Sequence, residues 1–508
     1  MLRVFSGSCL SLEHMETVRD FNLVKQPHVL GPGADYFTED GQPVRPQPCA
    51  HTLHKVFSGS TLDLNAACGE ILSDEDVALS NGTRGSPHRA GQQGQQQQPK
   101  IAPGATVSTI LSQLSSETEK ERAKSLRSKT VVLIVGGVGY VSSHVVNKAL
   151  EAGYSVRITG SGALTPQQQA ALSSVGRDHE QRLSIFEADM TNTNSLRDAL
   201  RGCKYVIHCG CPVSSTDKDT VEFHLSAVQA LFNAIRQAGK STVKRVVIHG
   251  AASSVFHVTD PEPPSGAFDE SCWNSVATND TDPIPYARIY FEKEAWRLKQ
   301  MLGVELVVIL PSITIGPSRT EEVSDAMKRI QHLATASSYF PYAPNLHWNF
   351  VDVRDVAEAH VRALECQEVK DQRVIVSGGC FSFAEIGKLI RNEYPHLTPP
   401  TRTANTLMTL IIGATHSQVS IRFLWRTLGV RKCLDTRKAT AELGMKFTPM
   451  QETLRASIEQ MISAGELPPA DGSVNARSVS RAGLVVTTMV AGLIGVVAWI
   501  VVRRRGKN

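Results

Sequence analysis

The sequence lacks paired Cys-x-x-Cys motifs, a basic central region and a recognisable secretory signal peptide. Its ten cysteines are scattered, which argues against a zinc site, so we expect no metal. Residues 129–476 hold 35 basic and 35 acidic side chains, whereas nucleic-acid-binding domains cluster their Lys and Arg. The apolar run at the start is too short for a signal peptide. We therefore expect no nucleic-acid partner, and a cytosolic domain with reduced thiols.

Positive charge collects near residue 508, beside a long apolar run. Residues 482–502 carry no charge, and a helix of this length spans about 31 Å, the hydrocarbon thickness of a bilayer. Trp499 and the basic segment 503–508 suit the membrane interface. We therefore predict a linker at 471–481 and a transmembrane tail anchor at 482–502, with a C-terminal packing helix as the alternative. The endoplasmic reticulum, mitochondrial outer membrane and peroxisome all remain open as locations.

Residues 1–128 have the composition of a region that does not fold by itself. Pro and Gly are frequent, and residues 91–99 form a low-complexity stretch rich in Gln. We predict a disordered N-terminal region.

The pattern changes at residue 130 to strand, glycine turn, helix and strand. Residues 130–135 are an apolar run rich in Val, as in a buried parallel strand. Gly136 and Gly139 follow, then an amphipathic stretch at 143–152 and a second strand at 153–159. Such a turn brings a helix N-terminus and close backbone to a diphosphate, which predicts a dinucleotide site.

Further strand patterns alternate with helical ones along the middle of the chain. This alternation predicts an α/β fold, a doubly wound parallel sheet of the Rossmann type that binds ligands at the carboxyl ends of its strands. The additional predicted strands are 182–189, 204–210, 243–249 and 304–311.

Several longer motifs match one family. They are Gly136-x-x-Gly139-Tyr-Val, Ala188-Asp-Met-Thr, Tyr205-Val-Ile-His-Cys-Gly-Cys-Pro, Leu310-Pro-Ser-Ile-Thr-Ile-Gly-Pro and Phe350-Val-Asp-Val-Arg-Asp-Val-Ala-Glu-Ala-His. In these stretches the sequence resembles the extended short-chain dehydrogenase/reductase family, of the NAD-dependent epimerase/dehydratase type. It is most similar to dihydroflavonol and cinnamoyl-CoA reductases and to 3β-hydroxysteroid dehydrogenases. The resemblance covers about residues 130–465 and implies one domain at 129–470 with a smaller C-terminal substrate lobe.

The resemblance implies a cofactor site along the strand ends. Its implied residues are Gly136, Gly139, Tyr140, Val141, Asp189, Met190, Gly210, Pro311 and Ile313. The choice between NADP and NAD is less clear. No acidic residue lies between Glu151 and Asp178 to bind the ribose hydroxyls of NAD. The family's NADP-binding arginine has Ser161 at its place, although Arg157 is near. We favour NADP, with NAD as the alternative.

The family uses a tyrosine as its proton donor or acceptor, a lysine one helical turn later and a serine. None of the nine tyrosines is followed by a lysine four residues later. One alignment makes Tyr286 the catalytic tyrosine, with Lys293 as a distant cation. Register from the predicted strand at 243–249 places Ala251 at the serine position, and Ser253 follows closely. Tyr286, Ser253 and Lys293 are the catalytic candidates.

A second alignment, anchored on Glu292 and Trp296, puts Arg288 at the lysine position and Ile284 at the tyrosine position. The two alignments differ by two residues and both stay open.

Two functions follow from this ambiguity. In the first, the chain is an NAD(P)-dependent oxidoreductase acting on a CH–OH or carbonyl group of a lipophilic small molecule, tethered to a membrane. In the second, it is a membrane-anchored NAD(P)-binding scaffold or sensor without full catalysis. A homodimer is compatible with either.

Overall fold

The computed structural model describes residues 119, 121–160, 180–210, 220–238, 243–320, 324–335, 341–406, 409 and 427–470. Among these residues, no helix is both long and apolar enough to cross a bilayer. The predicted linker, transmembrane helix and basic tail lie outside the described residues, as do residues 1–118 of the predicted N-terminal region.

A seven-stranded sheet forms the centre of the described chain, and all its neighbouring strands are parallel. Its strands are β1 (Val131–Val135), β2 (Ser155–Gly160), β3 (Leu183–Glu187), β4 (Cys203–His208), β5 (Arg245–His249), β6 (Glu305–Pro311) and β10 (Arg373–Val376). They lie in the order β10-β6-β5-β4-β1-β2-β3. The chain reverses direction across the sheet between β1 and β4, which is the topological switch point where such folds bind ligands. The predicted doubly wound parallel sheet is confirmed.

Helices cover both faces of this sheet, because its central strands are apolar on both sides. The helices are α1 (Tyr140–Glu151), α2 (Thr193–Ala199), α3 (Thr220–Gln237), α4 (Pro283–Gln300), α5 (Asp325–Ala334), α6 (Val353–Arg362), α7 (Phe383–Glu393), α8 (Arg437–Ala441) and α9 (Met450–Ser463). One face packs against α1 and α6, and the other against α3 and α4.

The remaining strands, together with α5, α7 and α9, build a smaller lobe with its own apolar core. Its strands are β7 (Ile313–Ile315), β8 (Tyr342–Ala343), β9 (His347–Asp352), β11 (Gly379–Ser382) and β12 (Arg402–Thr403). The order β11-β9-β7 gives a three-stranded sheet, and β8 pairs with β12.

The motif at 350–360 fastens the end of this lobe to the sheet domain. Asp352 caps α6 through the Arg354 N–H and accepts from the Thr453 hydroxyl at 2.8 Å. The Asp355 carboxylate accepts from the N–H and the hydroxyl of Thr448 at 2.7 and 2.9 Å. Because Asp355 pairs with the segment leading into α9 and Asp352 with α9 itself, the motif has a structural task in addition to its diagnostic value.

Residues 121–128 are helical and precede β1, although they fall in the segment predicted to be disordered. Arg127 forms an ion pair with Glu365 at 2.6 Å, which joins this helix to the sheet domain.

Candidate active site

The glycine turn after β1 holds its shape by backbone geometry that only glycine adopts easily. Gly136 has φ +78°, and its N–H donates to the Thr159 hydroxyl at 3.2 Å. A Cβ on Gly137 would lie 2.6 Å from the Cβ of Ile158 on the neighbouring strand. The turn therefore passes directly over β2 and leaves its outer side to a ligand.

Helix α1 begins at this turn with its first N–H groups facing outward. Gly139 is the N-cap residue, and its N–H donates to the Ser142 hydroxyl at 2.7 Å. Within the described residues, no backbone partner is found for the N–H groups of Tyr140 and Val141. Free N–H groups and the helix dipole favour an anion at this position.

Two polar side chains of α1 point the other way, towards the smaller lobe. The Tyr140 hydroxyl donates to the Gly316 carbonyl at 2.8 Å, and the His144 Nε2 contacts the Pro317 carbonyl at 2.9 Å. Burial raises the pKa of Tyr140 and lowers the pKa of His144 to about 4. Tyr140 therefore orients the helix, and only its backbone remains for a cofactor.

Two residues predicted for the cofactor site meet Gly136 across the switch point. A Cβ on Gly136 would lie 3.6 Å from the Gly210 carbonyl oxygen and 3.7 Å from the Met190 Cε. Gly210 itself has φ +87° and donates its N–H to the Nδ1 of His208. The ends of β1 and β4 and the segment after β3 thus enclose one crevice.

The other predicted cofactor residues lie along the same edge or beside it. Asp189 follows β3, and its Oδ1 accepts from the N–H and hydroxyl of Thr191 at 2.8 Å each. Pro311 ends β6 opposite Val376, and Ile313 begins β7. Their cofactor contacts remain predictions.

Arginines near the second strand have structural partners. Arg157 Nη1 donates to the carbonyls of Ala199 and Arg201 at 2.6 and 2.8 Å. Arg182 Nη1 donates to the carbonyls of Leu150 and Tyr154 at 2.9 Å each. Because both guanidinium groups already donate to backbone carbonyls, neither arginine is well placed to bind a 2′-phosphate.

The catalytic candidates on α4 lie on its outer side. The rings of Tyr286 and Tyr290 are in contact, with centroids 4.3 Å apart and planes inclined by 40°, and Tyr290 is exposed. A hydrogen bond with Tyr290 raises the pKa of Tyr286 to about 12, whereas a nearby cation would lower it. Lys293 Nζ lies 5.4 Å from the Trp273 ring centre and 5.9 Å from that of Tyr290. Tyr286 and Lys293 therefore share an exposed aromatic cluster.

Arg288 faces the opposite way, because residues two apart on a helix lie about 200° apart around its axis. Its Nη1 lies 2.9 Å from the point where a Cβ on Gly210 would sit. Glu292, one turn further along α4, is also buried. The inward face of α4 thus carries Ile284, Arg288 and Glu292, which is the second of the two alignments.

The serine candidate lies in a short 3₁₀ turn, Ala252–Ser254, after β5. The Ser253 carbonyl accepts from the Asn274 side chain at 2.9 Å, and the neighbouring Ser254 is fully buried. Ala251 stands at the start of this turn. Within the described residues, no hydrogen bond joins Ser253 to Tyr286, and their catalytic roles remain predictions.

A buried ion pair holds the inward face of α4 in place. Arg373 Nε donates to Glu292 Oε1 at 2.6 Å, and its Nη1 donates to the carbonyls of Glu270 and Cys272. Its guanidinium also lies 3.8 Å from the centre of the Trp273 ring. These contacts fix the rotation of α4 and hence the direction of Arg288.

Sequence reasoning missed His249, the last residue of β5. Its Cδ2 lies 3.5 Å from the point where a Cβ on Gly210 would sit, so its ring borders the crevice beside Arg288. The sequence signal that could have identified His249 is a polar residue at the end of a strand, directly before a glycine.

Residues 132–378 match the sequence model described as the NAD dependent epimerase/dehydratase family. These residues belong to that family. Membership confirms the resemblance to extended short-chain dehydrogenase/reductases, and the expected class of NAD(P)-dependent oxidoreductases.

Similar proteins of this family include plant reductases. Cinnamoyl-CoA reductase 1 of Oryza sativa subsp. japonica is 29% identical over 355 residues, covering 67% of this chain and 93% of that protein. Tetraketide alpha-pyrone reductase 2 of Arabidopsis thaliana is 29% identical over 282 residues, covering 54% and 85%.

Solved structures of the family share the fold. Yeast methylglyoxal/isovaleraldehyde reductase Gre2 complexed with NADPH gives a TM-score of 0.55 at 22% identity, covering 66% of this chain and 100% of that one. Vestitone reductase from alfalfa (Medicago sativa L.) gives 0.53 at 20% identity, covering 66% and 99%.

The crevice of this epimerase/dehydratase domain fits a nicotinamide dinucleotide, which confirms the predicted cofactor class. Side chains at Gly136 or Gly210 would fill the space at the switch point. The start of α1 offers N–H donors to a diphosphate, and Arg288 and His249 border the far end.

Proposed function

We propose that this protein is an NAD(P)-dependent oxidoreductase that acts on a CH–OH or carbonyl group of an apolar small molecule. The observation that carries the proposal is the crevice at the switch point, bordered by the glycine turn, Gly210 and Arg288. The bound dinucleotide would accept or donate a hydride. The chain would hold its diphosphate at the start of α1 and its far end beside Arg288.

NADP is the favoured form of the cofactor. No acidic residue lies between Glu151 and Asp178 to bind the ribose hydroxyls of NAD. The yeast reductase with the same fold was solved with NADPH. A tighter dissociation constant for NADPH than for NADH is therefore expected, measured by the quenching of protein fluorescence.

A second candidate is an NAD(P)-binding scaffold or sensor that turns over little substrate. The specific observation in its favour is the inward face of α4, where Ile284 stands one turn before Arg288 in place of a tyrosine. Ala251 likewise offers no hydroxyl at the serine position.

The two candidates separate in one experiment on the full-length protein. NADPH binding is measured first, then oxidation of NADPH with isovaleraldehyde, methylglyoxal and cinnamoyl-CoA as probe substrates. Binding with turnover supports the oxidoreductase, and binding without turnover supports the scaffold. Failure to bind either NADPH or NADH contradicts both.

We also propose that residues 482–502 anchor the protein in a membrane. The support is their length and lack of charge. Replacing Leu493 and Val496 together with Arg would place two charges near the middle of the segment, at about 3 kcal/mol each. The variant should leave the alkaline-extracted membrane pellet, while the control Ser478→Arg should stay in it. A wild-type protein that is already soluble contradicts the anchor.

A further inference from the structure

This inference rests on the proposed oxidoreductase and concerns its proton-handling group. Tyr286 and Lys293 lie on the outer side of α4, and Ala251 has no ionisable group. Of the groups described at the carboxyl ends of β4 and β5, the His249 imidazole borders both Gly210 and Arg288. The Gly210 carbonyl oxygen in turn lies 3.6 Å from the point where a Cβ on Gly136 would sit. Gly210 therefore links His249 to the crevice at the glycine turn.

Neighbouring groups fix which nitrogen of His249 carries the proton. His360 Nδ1 lies 2.7 Å from the Val356 carbonyl, which only accepts, so this nitrogen carries hydrogen. A neutral His360 then has a bare Nε2. His249 Nδ1 lies 3.3 Å from that nitrogen and must donate to it. The two rings are stacked, with centroids 5.1 Å apart.

The remaining nitrogen, His249 Nε2, therefore holds a lone pair. Among the described residues, no hydrogen-bond partner is found for it, and His249 as a whole residue is of intermediate exposure. Burial lowers the pKa of His249 well below its usual value, and the facing groups His360, Arg288 and His208 lower it further. The imidazole is therefore neutral at physiological pH, and its Nε2 is unprotonated.

We propose that His249 is the catalytic proton acceptor of this site, in the role that the family assigns to a tyrosine. The O–H bond of an alcohol substrate breaks as its proton moves to Nε2. The C–H bond on the same carbon breaks as its hydride leaves for the oxidised dinucleotide, and the C=O bond forms. Carbonyl reduction starts from the imidazolium form, in which Nε2 also carries a proton. That proton moves to the carbonyl oxygen as a hydride from the reduced dinucleotide adds to the carbon, and solvent then returns a proton to Nε2.

His360 is a positioning residue in this arrangement. It touches neither substrate nor cofactor, but it accepts the Nδ1 proton and so keeps Nε2 bare. Arg288 adds a positive charge beside the crevice, where it stabilises the negative charge that develops on the substrate oxygen.

Diethylpyrocarbonate tests the placement of His249 without any turnover, because it modifies neutral, accessible imidazoles. The full-length protein is treated with and without saturating NADPH, and each modified histidine is identified by peptide mass spectrometry. His249 should be modified in the free protein and protected about tenfold or more by NADPH. His332, exposed on α5, should be modified equally in both samples, and the fully buried His208 in neither.

Two variants then separate proton transfer from simple hydrogen bonding. His249→Asn keeps a donor near the Nδ1 position for His360 but has nothing at the Nε2 position. His249→Gln places an amide oxygen near Nε2, which accepts a hydrogen bond but does not take up a proton. Both should bind NADPH within about threefold of wild type and lose about 100-fold or more in turnover of isovaleraldehyde.

Each outcome decides one claim. Modification of His249 that NADPH does not reduce, or wild-type turnover in His249→Asn, overturns the proposal for His249 alone. Rescue of turnover by His249→Gln reduces His249 to a hydrogen-bonding group and also overturns it. NADPH binding without turnover in the wild type contradicts the oxidoreductase, and the proton-transfer role falls with it.

Discussion

Acidification from pH 7.5 to pH 5 is expected to unfold the sheet domain by protonating buried histidines. His144, His208, His224 and His360 are at most 6% exposed. Burial is the first cause in each case, and it lowers the pKa to about 4 for His144, His224 and His360 and to about 3 for His208. The folded protein therefore keeps all four neutral at pH 5.

The unfolded chain titrates these histidines at their ordinary pKa of about 6.5. Because the folded pKa is the lower one, the stabilisation is complete above pH 6.5 and is lost as the pH falls towards 4. At pH 5 each histidine has lost about 2 kcal/mol of the unfolding free energy relative to neutral pH. Four of them approach the total stability of about 5–15 kcal/mol that is usual for a domain.

Urea unfolding of the full-length protein at a series of pH values, followed by circular dichroism, measures this dependence. The slope of unfolding free energy against pH should correspond to an uptake of up to about four protons between pH 6.5 and 5. His144→Gln keeps a donor for the Pro317 carbonyl but does not titrate, so it should lower the slope by about one proton. His332→Gln, at an exposed position, should not change the slope.

An uptake of fewer than one proton in this range would refute the reasoning. So would a slope that His144→Gln leaves unchanged while the variant remains folded at neutral pH. Either result would mean that these imidazoles do not stay neutral and buried in the folded protein.

Three further predictions concern single substitutions. Gly137→Ala should abolish NADPH binding in fluorescence titrations, because the added Cβ collides with β2. The control Gly202→Ala meets no atom within 4 Å and should cost only about 1 kcal/mol of backbone strain. Arg373→Met should lower the thermal midpoint strongly, because it leaves Glu292 buried without its partner at about 3–5 kcal/mol; an unchanged midpoint would contradict the ion pair's role. Tyr286→Phe should keep most of the turnover, since the ring packs against Tyr290 on the outer side of α4; a loss of about 100-fold would restore Tyr286 as the acid.

Local sequence patterns determined the strands, the glycine turn and the strand–helix alternation. The apolar side chains at 130–135 were enough to predict β1. The position of Gly136 directly after that strand was enough to predict the turn. These features depend on residues adjacent in the chain, so composition and spacing carry the information. The family motif at 350–360 was equally visible, although its role in fastening α9 through Thr448 and Thr453 was not.

Tertiary structure decided which side chains meet in the crevice. The two alignments of α4 differ by two residues, and this shift decides whether Tyr286 or Arg288 faces the crevice. The sequence is compatible with both alignments. The rotation of the helix is set by Arg373, which lies 81 residues beyond Glu292 and anchors it from another strand. His249 acquires its bare Nε2 from His360, 111 residues away. Helix rotation and tautomer choice both follow from contacts between distant segments, and the order of residues along the chain does not encode them locally.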